Sequence, residues 1–195
     1  MSRIPVFDLG NVVVKVDFAP FVSWLSKVSG DPAKAEAFLH SSLFLDLEFG
    51  AIGREEFARR MSALFRVEMD QKELESRFCG IFPGLVEGME DLLVEVAEKR
   101  ELYALSNTNE IHLNHLNRAY PRLMDSFTKV FASHELRQRK PFPGIYTGVA
   151  EALGVKPGEL LFFDDLHANV QGALSAGLEA HVFADTGQVR LLLGC

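Results

Sequence analysis

"VFDLGNVVV", residues 6–14, decides how this chain reads. An apolar run carries one carboxylate, Asp8, in its middle, with Gly10 and Asn11 close behind. A buried strand excludes an ionised group, because stripping a carboxylate of water is expensive unless it is paired. Asp8 therefore either ends a strand at a site that uses its charge, or it sits in a solvated turn. The rest of the chain has to choose.

Four further apolar runs have the length of buried strands: residues 102–105, 129–132, 160–163 and 180–183, to set beside residues 4–7. Most show little alternation, as expected of parallel strands covered on both faces. Helical spacing fills the gaps between them, at residues 86–100, 144–154 and 168–177. The last two of these end on glycine, a common helix stop. Strand–helix alternation over residues 80–185 predicts an α/β fold with a parallel sheet. Residues 18–80 differ. They read as amphipathic helices broken by Gly and Asp-Pro, with no strand run. The expectation is one strand, then about 60 helical residues, then the alternating sheet.

Bulk properties narrow the functional classes. The 195 residues suit one domain with an insert. A net charge of −7 argues against nucleic acid, whose phosphates require a basic patch. No stretch approaches the roughly 20 apolar residues of a membrane span, and the N-terminus is a poor signal peptide. The two cysteines, Cys79 and Cys195, lack metal-type spacing and read as reduced thiols. The expected location is the cytoplasm, as a monomer or a homodimer.

In open parallel sheets, ligands bind beyond the carboxyl ends of the strands. Asp8 follows the first strand, Ser106 and Asn107 follow the second, and Asp164 and Asp165 follow the fourth. If those strands are neighbours, three carboxylates share one small volume. Two unit charges 4 Å apart repel by roughly 4 kcal/mol at an effective dielectric of 20. Oxygen-only ligands select a hard divalent cation such as magnesium or calcium. Asn169, four and five residues past the acid pair, faces the same site if a helix starts there. Each residue also has a plainer reading: a turn Asp, a Ser N-cap, a surface Lys140 before proline, an acidic helix start.

"VFDLGNVVV", "ALSNTN", "RKPFPGIY" and "LLFFDDLHANVQGALSAG" resemble, in order, the four motifs of the haloacid dehalogenase-like superfamily. The resemblance spans essentially the whole chain. In motif the chain is most similar to the bacterial α-D-glucose-1-phosphate phosphatase-like group, and also to the phosphatase domain of bifunctional epoxide hydrolases. The resemblance implies a Rossmann-like three-layer core, residues 1–16 and 82–195, with an inserted α-helical cap, residues 17–81. It implies a magnesium-dependent phosphatase acting on a small phosphorylated metabolite, a sugar phosphate in the similar group. Asp8 would be the nucleophile, forming an aspartyl-phosphate. Ser106 and the Asn107 backbone N–H would hold phosphoryl oxygens, and Lys140 would neutralise the transferring group. Asp8, Asp165 and the Gly10 carbonyl would bind Mg²⁺, with Asp164 at the metal or acting through its water.

One departure stands out. Most phosphatases of this superfamily carry a second Asp where this chain has Gly10. General acid–base help is worth about 10²–10⁴-fold. A leaving group that needs little protonation, such as an anomeric phosphate, fits the loss. Two other readings follow: a 2-haloacid dehalogenase using Asp8, since halide needs no proton, or a catalytically weak binding protein that kept the fold. Gly10 itself reads as the residue that lets the backbone turn. His112 and His115, at i, i+3 spacing, read as surface or packing groups without a third metal ligand. His167 is placed at the site's edge, Phe44 and Phe49 as closing groups, Glu48 and Arg54 as polar cap groups, and Arg137 and Arg139 as solvated charges.

Overall fold

The structure is a computed structural model that describes residues 3–195. Strand β1 (Ile4–Phe7) is followed by the two-residue β2 (Val14–Lys15) and then by helices alone: α1 (Ala19–Ser29), α2 (Pro32–Ala37), α3 (Ser42–Glu48), α4 (Arg54–Phe65) and α5 (Gln71–Cys79). The chain continues through β3 (Gly84–Leu85), α6 (Met89–Ala97), β4 (Tyr103–Ser106), α7 (Glu110–Ala119) and α8 (Pro121–Met124). Then come β5 (Lys129–Ala132), α9 (Ser133–Leu136), α10 (Pro143–Leu153), β6 (Leu160–Asp164), α11 (His167–Ser175), β7 (Glu179–Val182) and α12 (Thr186–Leu193).

Five strands form a parallel sheet in the order β5-β4-β1-β6-β7. Strand β1 is central, with Phe7 in register with Ala104 on one side and Phe163 on the other. All five expected runs are strands, although β4 and β7 are displaced by one residue, to Tyr103–Ser106 and Glu179–Val182. The sheet is covered on both faces, which explains its unbroken apolar runs. One face buries Phe7, Leu92, Leu93 and Phe163 beneath α6 and α12. The other buries Val6, Leu105, Tyr146 and Phe162 beneath α10 and α11. This is the Rossmann-like α/β fold.

Helices α1–α5 enclose a separate apolar cluster dominated by phenylalanine, in which Phe38 and Phe78 each touch several other rings. Local signals set their starts: Asp31 and Asp70 cap α2 and α5 by accepting from the N–H three residues on. The two chain crossings between this cluster and the sheet lie side by side. The Asp17 N–H donates to the Ile81 carbonyl at 2.7 Å, and β2 pairs antiparallel with β3. That short pair has no counterpart among the expected elements, because two residues carry no periodicity. The helix expected at residues 86–100 is shorter, Met89–Ala97, since Gly88 at φ 74° begins it and Lys99 and Arg100 lie past its end.

Candidate active site

The order β4-β1-β6 brings three strand ends together, and the residues that follow them converge. Asp8, Ser106, Asn107, Lys140, Asp165 and Asn169 all line one cavity of about 260 Å³ at the carboxyl edge of the sheet. Each is delivered by backbone geometry. The Asp8 N–H donates to the Phe163 carbonyl at 2.8 Å, which extends the β1–β6 ladder by one residue and fixes Asp8 beside Asp164. Carboxylate oxygens of Asp8, Asp164 and Asp165 lie within 4.8 Å of one another.

Lys140 holds this cluster from below. Its side chain is fully buried, with Nζ 2.8 Å from Asp8 Oδ1 and 2.6 Å from Asp164 Oδ2. Nζ also sits over the Phe162 ring, 5.3 Å from its centroid. A solvated Lys140 is thereby excluded. Asn107 places the lysine: its Oδ1 accepts from the Lys140 N–H at 2.8 Å and its Nδ2 donates to the Lys140 carbonyl at 3.0 Å. Asn107 thus clamps a loop 33 residues away in sequence, a part that the motif reading gave only to its backbone N–H.

Asp164 is fully buried and saturated. Oδ1 accepts from the Leu166 N–H and Oδ2 from Lys140, while Asn169 Nδ2 donates to both oxygens at 2.9 and 3.0 Å. Asn169 is held in turn, its carbonyl accepting from the Tyr146 hydroxyl at 2.7 Å. Asp165 is half-buried and accepts from Asn11 Nδ2, at 3.3 Å. Asp8 Oδ1 also accepts from the Leu9 N–H at 2.7 Å. Burial pushes the Asp8 carboxyl up to about 7; Lys140 opposes this and Asp164 adds to it. Burial also raises Asp165.

Several plainer readings fail on geometry. Ser106 is not a helix cap: α7 starts at Glu110, and its cap is Asn109, which accepts from the His112 N–H. Gly10 is not the sharp turn, because the left-handed residue is Asn11 at φ 54°. A Cβ built on Gly10 would meet Val16 Cγ2 at 3.4 Å, an ordinary contact.

The cavity's far wall comes from the helical cluster. Phe18, Phe44 and Glu48 line it, together with Arg139. Arg139 is not the solvated charge expected of it; its Nη2 lies 3.1 Å from Glu48 Oε2. Glu48 is 93 % buried, and burial raises its carboxyl above the usual range. Arg54 does not reach the site. It pairs with Glu75 beside a different cleft, which His115 also lines. Phe49 and His167 are not among the lining residues, and His167 is exposed. His112 does line the cavity, buried between Asn109 and the Phe78 carbonyl, and burial pushes its imidazole down to about 3.

Sheet order, strand-end acids and the buried lysine form a charged site at the carboxyl edge of an α/β sheet, where ligands bind in this architecture. Residues 6–177 match the family model for haloacid dehalogenase-like hydrolases, and the chain belongs to that family. It is 26% identical over 186 residues to a D-ribitol-5-phosphate phosphatase of Bacteroides thetaiotaomicron, covering 92% of this chain and 90% of that protein. It is 30% identical to a phosphatase of Mycobacterium tuberculosis, covering 86% of this chain and 71% of the relative. A HAD family enzyme of B. thetaiotaomicron, solved in complex with magnesium and inorganic phosphate, superposes with a TM-score of 0.86 at 26% identity, covering 95% of this chain and 96% of the other.

Proposed function

We propose that the protein is a magnesium-dependent phosphatase of a small phosphorylated metabolite, a sugar or polyol phosphate, working through an aspartyl-phosphate on Asp8. The observation that supports this best is the buried Asp8–Lys140–Asp164 triad beside the less engaged Asp165. Residues 17–81 act as the cap that closes over the substrate.

The donor set fits magnesium. Three carboxylates crowd within 4.8 Å with one lysine between them, which leaves net negative charge in a largely buried place. Oxygen donors of this kind suit a hard divalent cation. Asp8, Asp165 and the Gly10 carbonyl would hold it, and Asp164, whose oxygens are taken by Lys140, Asn169 and Leu166, would act through a metal-bound water. When bound, the ion supplies positive charge that keeps Asp8 ionised and offsets charge on the phosphoryl oxygens.

The chain's own residues do the rest. The free oxygen of Asp8 attacks phosphorus, forming an Asp8–O–P bond as the ester P–O bond breaks. Lys140 and the Ser106 hydroxyl meet the phosphoryl oxygens, along with the Asn107 N–H. Water then attacks the aspartyl-phosphate, releasing inorganic phosphate and restoring the Asp8 carboxylate. Position 10 carries no carboxyl to protonate the departing oxygen, so that proton comes from water. The dehalogenase reading leaves Asp165 without a task, since Asp164 holds Lys140 and Asn169 in either case.

The test is phosphate release from sugar phosphates, polyol phosphates and p-nitrophenyl phosphate, with magnesium and with a chelator. Magnesium-dependent release supports the reading. Release of halide from 2-haloacids without phosphate release would replace it.

A further inference from the structure

The cavity has two charged layers, and the lower one accounts for the proposed phosphoryl transfer. The upper one, Glu48 and Arg139, has no part in it. Its hydrogen bonding is also unfinished. Glu48 Oε2 and Arg139 Nε are both buried and neither has a hydrogen-bond partner among the described residues, although the ion pair brings Nη2 to 3.1 Å from Oε2. Buried polar groups are nearly always satisfied, and an orphan calls for a reason. Leaving a charged group short of partners carries its full desolvation penalty.

The backbone that carries Glu48 is anchored. The Ser133 hydroxyl accepts from the Thr108 N–H and lies 2.8 Å from the Glu48 carbonyl, within donating distance. Gly50, two residues on, is left-handed at φ 64°, and a Cβ there would collide with the His134 carbonyl. The end of α3 is thus seated on α9, which follows β5.

We propose that Glu48 and Arg139 recognise hydroxyl groups on the leaving group, making the enzyme selective for a polyhydroxylated phosphate ester. A hydroxyl is the neutral group that can donate to a carboxylate oxygen and accept from a guanidinium N–H at once. A chain of adjacent hydroxyls completes both orphans, while an alkyl chain would bury them permanently. Sites built to hydrogen-bond a substrate hydroxyl reject the analogue lacking it far more strongly than apolar pockets reject a missing methylene. The inference rests on the phosphatase reading and deepens it.

The experiment compares kcat/KM for a pentitol 5-phosphate and n-pentyl phosphate, two primary esters with the same reacting centre, in the wild type, Glu48→Gln and Arg139→Lys, all with magnesium. The wild type is expected to favour the pentitol ester by about hundredfold or more. Each variant is expected to lower that ratio by about ten- to hundredfold, with KM for the pentitol ester raised. Circular dichroism and thermal melts monitor folding; a purely structural defect lowers both rates and leaves the ratio intact. An unchanged ratio in both variants, or a wild type that uses the two esters equally, would overturn the inference while leaving the phosphatase reading standing. Hydrolysis of neither ester, nor of p-nitrophenyl phosphate, would remove the reading and the inference together.

Discussion

The floor and the far wall of the cavity treat buried charge in opposite ways. On the floor, Lys140 touches two carboxylates, and Asp164 has both oxygens engaged. At the wall, Glu48 and Arg139 are paired by distance and still leave polar atoms unmet. A saturated network in low dielectric is rigid and presents its one reactive member in a fixed direction. An unsaturated one stores binding capacity for whatever enters. In the proposal, chemistry falls to the first and selection to the second.

The comparison can be broken from either side. The largest effect is expected from Lys140→Met, which leaves Asp8 and Asp164 buried without their cation. Breaking one partner of a buried ion pair costs about 3–5 kcal/mol, read as a lower denaturant midpoint, and phosphate release should fall by at least about 10³-fold. Next is pH. The folded pKa of His112, about 3, lies below the ordinary 6.5. An unfolded chain takes up this proton between those values and the folded chain does not, so the contribution is complete above about 6.5 and is lost as pH falls towards 3. A His112→Gln variant should show a shallower acid loss, by a few kcal/mol across the window. Asn107→Ala should cost about 1–3 kcal/mol through the unclamped Lys140 backbone, with reduced kcat. The smallest effect is a gain. Since Gly10 has ordinary contact room for a Cβ, Gly10→Asp should fold and raise kcat on simple alkyl phosphates by about tenfold, toward the range expected of an added general acid.

Much of the sheet was legible in the sequence because parallel strands covered on both faces are short unbroken apolar runs, and the acids at their ends stood out against them. Asp8 and Asp164 could be read as neighbours once β1 and β6 were taken as adjacent, an assumption that the Phe7–Phe163 register supports. The wall was harder. Arg139 sits in "RQRK", which looks like a solvated basic run, and its partner Glu48 belongs to a distant helix. No local pattern encodes that pairing. Arg54 shows the reverse error: an exposed residue at the start of α4, bound to Glu75 rather than to the site. The strand pair β2–β3 was invisible because two residues have no period.

The central claim is that Asp8 becomes phosphorylated. The direct measurement is acid-quenched turnover of a radiolabelled phosphate ester with magnesium, followed by peptide mapping. Hydroxylamine-labile label is expected on the peptide containing Asp8, and neither label nor turnover in Asp8→Asn. Undiminished phosphate release by Asp8→Asn would contradict it, as would turnover with label on a different residue.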